Sequence, residues 1–162
     1  MFSGAGGNVI AFALTGRFTT ILAIERDASV LACAQYNAAI YGVSHLITWI
    51  NVDSFTYLSS NRTTICPEKT VVFASPPWGG PGYTSDEIFD LSKMWPYSVK
   101  QIHDACKGMD SALYLPRTSD LRQIAKLGPK DKKVEVVQYC MEGASKALVA
   151  YIPASPVAVS SN

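Results

Sequence analysis

The sequence predicts an α/β domain built on a mostly parallel sheet, and three observations carry that prediction. Short β-branched runs alternate with helix-spaced apolar patterns along the chain. A glycine cluster, Gly4-Ala5-Gly6-Gly7, stands directly before the first helical pattern, and acids, Glu25 and Asp53, stand at the ends of the next two strand-like runs. A third such run breaks into Ser75-Pro76-Pro77-Trp78-Gly79-Gly80-Pro81-Gly82-Tyr83, where prolines and glycines forbid regular structure. In open α/β sheets, ligands bind at the carboxyl ends of strands, which is where all these features lie. The 162 residues give room for one sizeable core and not two.

The elements follow in order. Gly7 to Leu14 reads as a helix closed by Thr15-Gly16, glycine suiting a helix C-terminus. Thr19 to Ile24 is a continuous apolar run ending in Glu25, the pattern of a buried parallel strand. Ala28 to Tyr41 carries Leu31, Ala34, Ala38 and Tyr41 at helical spacing and stops at Gly42. A strand at Leu46–Asn51, a short helix at Ser54–Ser60 and a strand at Thr70–Ala74 follow. After the proline-rich loop, running to about Trp95, come a helix near Tyr97–Lys107, a strand at Ser111–Leu115 and a helix at Asp120–Lys126. Lys133–Met141 and Lys146–Ile152 read as an antiparallel pair turned at Glu142-Gly143, and residues from Ala154 onward as a flexible tail.

With 14 basic and 13 acidic side chains, net charge +1, the chain lacks the basic excess that binds long nucleic acid by phosphate neutralisation alone. A nucleic-acid ligand would be short or gripped by a few residues. Cys33, Cys66, Cys106 and Cys140 are scattered, with no C-x-x-C pair and no histidine cluster, so neither a metal site nor a disulfide framework is expected. No run approaches the roughly 18 apolar residues of a membrane span, and glycines follow Met1 instead of a signal sequence, predicting an intracellular, soluble protein. Asn61-Arg62-Thr63 is read as a chance glycosylation triplet.

Gly4, Gly6 and Asn8 frame a turn and a helix N-terminus that can approach an anionic or polar ligand closely, although a glycine cluster is also an ordinary tight turn. Glu25, about twenty residues on, is suited to ribose hydroxyls, and Asp53 to an adenine amino group; each alone could be a solvated charge. These three signals do not separate a nicotinamide enzyme from one using S-adenosylmethionine. Ser75-Pro76-Pro77-Trp78 does, because it has no role in hydride transfer. Prolines donate no hydrogen bond, which leaves the Ser75 and Pro76 carbonyls to accept from a substrate amine, while Trp78 can stack on a base and align its exocyclic nitrogen with a methyl donor. Ser75, Pro76 and Pro77 are therefore the catalytic candidates, Ser75 also bordering the donor.

That string, with Gly6-Gly7-Asn8, Phe12-Ala13-Leu14-Thr15-Gly16 and Leu115-Pro116-Arg117, resembles the trimethylguanosine synthase family from Phe2 to about Ile152. The resemblance implies a Rossmann-like S-adenosylmethionine-dependent methyltransferase sheet and methylation of the guanine N2 amine of the 7-methylguanosine cap of small nuclear and small nucleolar RNAs. It implies that Trp78 stacks on the methylated guanine, that Arg117 meets the cap phosphates with Tyr114 nearby in an aromatic slot, and that Glu25 replaces the family's usual Asp. By itself Arg117 also reads as a surface arginine before a helix. Tyr83 and Trp95 are lid or core residues, undecided, and His45 and His103 surface or core ones. A monomer is expected, without metal or membrane partner, located in the nucleus, with the nucleolus, Cajal body or cytoplasm as alternatives.

The family carries a hydrophobic strand ending in an acid just before the glycine loop, and this chain starts at Met1-Phe2-Ser3-Gly4. The expectation is therefore a methyltransferase domain over residues 1–153 lacking the first, central strand of the order 3-2-1-4-5-7-6, so six strands remain, with strands 2 and 3 separated or re-paired. The alternative to an active enzyme is an inactive truncated fragment or cap-binding relic.

Overall fold

A computed structural model describes residues 1–80 and 87–155, in two compact units, Met1–Asn61 and Arg62–Asn162. Of the predicted features, Pro81, Gly82, Tyr83 and the tail from residue 156 lie outside the described residues.

The first unit contains α1 (Gly7–Leu14), β1 (Ile21–Glu25), α2 (Ala28–Ile40), β2 (Ile47–Asn51) and α3 (Ser54–Ser60). β1 and β2 pair in parallel from Ile21 against Ile47 to Glu25 against Asn51, so their carboxyl ends finish level. Val9, Ile10 and Ala13 of α1 share a core with Ala23, Ala38, Val43 and Ile47. Asp27 caps α2 by accepting from the Ser29 and Val30 N–H groups, and Asp53 caps α3 by accepting from Phe55 and Thr56.

Leu31, Ala34 and Ala38 form the buried stripe of α2 as their spacing predicts, but Tyr41 is exposed. The helix ends one residue earlier, at Ile40, in a Schellman turn: Val43 N–H donates to Ala38 O and Gly42 N–H to Ala39 O, with Gly42 at φ 70°. That turn swings Val43 into the core position that continued helical spacing would have given Tyr41.

The second unit contains β3 (Val71–Ala74), α4 (Val99–Ala105), β4 (Asp110–Pro116), α5 (Leu121–Ala125), β5 (Glu135–Met141) and β6 (Ala144–Ile152). Its sheet runs β3-β4-β6-β5, β3 parallel to β4 and the other two pairings antiparallel. β4 and β6 are apolar on both faces: Leu113, Leu115, Ala147 and Ala150 are fully buried, as are Ile102 of α4 and Ile124 of α5. Removing strand 1 from the expected order leaves 3-2 and 4-5-7-6, and the two sheets have these orders.

α4 is shorter than its Tyr97–Lys107 prediction because Ser98 and Gln101 form a reciprocal capping box at its start and Gly108, at φ 88°, follows its end. The β5–β6 hairpin turns at Glu142-Gly143 as expected, both residues at positive φ (51° and 78°), the type I′ geometry that matches strand twist. Glutamate carries a steric cost there that asparagine largely avoids. Glu142→Asn is expected to raise the stability of this unit by up to about 1 kcal/mol, read as a higher urea midpoint at unchanged slope.

Candidate active-site residues

In the first unit the glycine loop is held by four bonds. Ser3 N–H donates to Ile24 O, Gly6 N–H to Ser3 O, Gly4 N–H to the Glu25 Oε2 at 3.0 Å, and the Asn37 amide to Ala5 O. The two predicted glycines have different duties. Gly6, at φ 90°, lies against α2, where a Cβ would sit 3.1 Å from the Ala34 Cβ, so its small size serves packing. Gly4, at φ 53°, faces open space on its Cβ side. Asn8 is exposed in the first turn of α1, a helix whose N-terminus has no side-chain cap.

Glu25 is half-buried, and its second oxygen accepts from Asp27 N–H at 3.1 Å. A carboxylate offers about four lone-pair directions, so two backbone donors fix its orientation and still leave acceptor capacity. Asn51 ties the strand ends together by donating to the Glu25 and Arg26 carbonyls. Asp53, predicted to meet adenine, has its Oδ1 engaged in capping α3. Asn37 and Asn51 are positioning residues that sequence reasoning did not single out; each follows an unremarkable spacing and shows its role only once the loop it braces is folded.

In the second unit β3 ends at buried Ala74, and Ser75 leaves it half-buried, followed by buried Pro76 and exposed Pro77. Because Ala74 stands opposite Leu113 in the parallel register, this string departs beside Tyr114. The Trp78 indole Nε1–H donates to the Tyr114 carbonyl at 3.2 Å, and the two rings lie nearly parallel, centroids 5.7 Å apart at 18°. Trp95 is 72% exposed, which removes it from the core; its backbone passes beside Gly79.

Arg117 is exposed in the turn after β4, where Ser119 N–H and Oγ both donate to Pro116 O. A clasp holds this turn: Phe89 N–H donates to Thr118 O and Asp120 N–H to Phe89 O. Next to it Gln123 bonds Leu91 N–H through Oε1 and Asp90 through Nε2. The Gln123 and Ser92 bonds hold the Asp90 carboxyl well down, at about 2. Sequence reading missed this clasp because Asp90 and Gln123 sit in irregular or short elements with no recurring pattern.

His45 is exposed, and His103 is half-buried on α4, its pKa lowered by that burial. Among the described residues no cluster of three or more His, Cys, Asp or Glu could hold a metal, and no helix is long and apolar enough to cross a membrane. The four cysteines are free thiols; Cys106 is buried, which pushes its thiol up to about 11.

A protein-family model described as RNA cap guanine-N2 methyltransferase matches residues 1–155. The chain belongs to this family. It is similar to the trimethylguanosine synthase of Schizosaccharomyces pombe, at 32% identity over 93% of the chain and 62% of that protein. It is also similar to the trimethylguanosine synthase of Saccharomyces cerevisiae, at 33% identity over 96% of the chain and 53% of that protein. The chain thus spans between half and two thirds of the length of these relatives. At the level of fold it resembles a SAM-dependent methyltransferase from Agrobacterium tumefaciens, with a TM-score of 0.64 and 15% identity over 96% of this chain and 55% of that one. It also resembles a human methyltransferase 10 domain containing protein, with a TM-score of 0.59 and 19% identity over 93% and 68% of the two chains.

S-adenosylmethionine is the cofactor that this cap methyltransferase family and fold imply. The first unit fits it on two counts: open space over Gly4, and a preset Glu25 carboxylate with acceptor capacity left.

The Asp90 carboxyl gives a pH test of the clasp. Its folded pKa lies below the unfolded value of about 3.9, so its stabilising contribution is complete above that value and is lost as pH falls toward 2. Wild type should therefore lose more stability than Asp90→Asn between pH 4 and pH 2, measured by denaturant midpoints across that range.

Proposed function

We propose that the chain carries out S-adenosylmethionine-dependent methylation of the guanine N2 amine of the 7-methylguanosine RNA cap, giving 2,2,7-trimethylguanosine. Family membership and two relatives named trimethylguanosine synthase support the chemistry. The observation that carries the substrate assignment is the Trp78 indole, held against Tyr114 directly after Ser75-Pro76-Pro77 at the end of a parallel strand.

Bound S-adenosylmethionine supplies a methyl group on a sulfonium, already activated for transfer. The chain's part is then to position the acceptor. Glu25 is suited to the ribose hydroxyls, Gly4 and Asn8 to the donor's remaining polar groups, and Asp53 to the adenine edge, while Gly6 keeps the loop close against α2. No hydrogen bond from a described residue reaches the Ser75 or Pro76 carbonyl, so both can accept from the N2 amine and direct its lone pair. Pro76 and Pro77 fix the backbone that carries these carbonyls. Water takes the proton released once the methyl has moved.

Trp78 gives a reason for requiring prior N7 methylation. A 7-methylguanine is cationic, and a cation over an indole face gains about 1–2 kcal/mol when desolvated, a gain that neutral guanine forfeits. Arg117, exposed and braced by the turn beneath it, suits the phosphate bridge of the cap through its planar fork of donors. The natural substrates in this reading are small nuclear and small nucleolar RNAs, acted on by a monomer in the nucleus.

Trp78→Ala is expected to weaken binding of 7-methylguanosine diphosphate at least tenfold while leaving S-adenosylhomocysteine binding within about twofold, both by calorimetry. Unchanged cap affinity would refute the stacking role.

A further inference from the structure

The contact between Trp78 and Tyr114 contains two bonds of different kinds on one pair of residues. The indole N–H donates to the Tyr114 main-chain carbonyl, and the Tyr114 ring lies along the indole at 18° with centroids 5.7 Å apart. The first fixes the rotation of the indole, and the second covers one of its faces. A base inserted between two rings needs about 7 Å between their planes, two contacts of roughly 3.5 Å each. The observed centroid separation is smaller than that, and an offset pair has a plane spacing smaller still.

We propose that Tyr114 is a positioning residue of the cap site, which locks the Trp78 indole in one orientation and backs one of its faces, so that the methylated base does not enter between the two rings. The proposal rests on the cap reading above and deepens it. In that reading Tyr114 could instead be the second wall of a slot, touching the base directly; the geometry argues for backing.

The local sequence explains how the pair is made. Tyr114 follows Leu113, which stands opposite Ala74, so it flanks the exit of β3. Pro76 and Pro77 restrict the route from that exit to Trp78. The carbonyl that accepts the indole N–H belongs to a strand buried on both sides, which makes it a rigid anchor. An aromatic side chain immobilised before its ligand arrives does not lose rotamer freedom on binding, which is worth a several-fold gain in affinity.

The test compares Tyr114→Leu and Tyr114→Phe in the full chain. Tyr114→Leu should raise KM for a 7-methylguanosine-capped oligonucleotide about 5- to 10-fold with kcat within about twofold, and Tyr114→Phe, which keeps the ring, should restore KM. Without any ligand, hydrogen exchange at the Trp78 indole N–H, identified by its loss in Trp78→Phe, should quicken in Tyr114→Leu and not in Tyr114→Phe. An unchanged KM in Tyr114→Leu overturns the proposal. So does a raised KM with unchanged indole exchange, since Tyr114 would then be touching the base itself. If wild type fails to bind 7-methylguanosine diphosphate, the cap reading fails, and the exchange measurement still decides whether Tyr114 holds the indole.

Discussion

Parallel pairing is the constraint on which both units depend. Strands that run the same way finish at the same level, so residues just beyond them become neighbours whatever their distance in sequence. In the first unit this brings Glu25 beside Asn51, with Asp53 two residues further on and the glycine loop bonded to the Glu25 carboxylate. In the second it brings the exit of β3 alongside Tyr114, and the proline string closes back on that residue through Trp78. Glu25, Asp53 and the Ser75-Pro76-Pro77 string are each placed by where a strand stops.

Stopping a strand leaves backbone donors and acceptors that need partners, and the candidate residues double as those partners. Glu25 satisfies two backbone N–H groups before any ligand is considered, and Asp53 caps a helix. The clasp of Phe89, Asp90 and Gln123 does the same for the turn bearing Arg117. A side chain bound in this way has one orientation, which is what a reaction governed by alignment requires. The cost of ordering it is met in folding and not in binding.

Much of this was legible in the sequence because it rests on local rules. The glycine loop before α1, the strand-end acids and the described part of the proline-rich string, Ser75 to Gly80, occupy the predicted places, and α3 spans Ser54–Ser60 as expected. Glu142-Gly143 could be read as a hairpin turn from the two flanking strand patterns alone. What could not be read depends on long-range partners. Tyr41 looked like a fourth buried position of α2 until the Schellman turn gave that place to Val43. Gly6 looked like a ligand glycine, but Ala34 supplies the reason for its size. Asn37, Asn51 and Gln123 carry no pattern at all, since their partners lie far away in sequence.

The central claim is that a pinned tryptophan after a Ser-Pro-Pro turn selects a cationic guanine for N2 methylation. The most direct measurement is methyl transfer from S-adenosylmethionine to matched RNA oligonucleotides capped with 7-methylguanosine or with guanosine, the products resolved by mass. The account predicts N2-methylated cap from the 7-methylated substrate at a rate at least about tenfold above the unmethylated one. Equal rates on the two caps, or a methyl group at any other position, would contradict it.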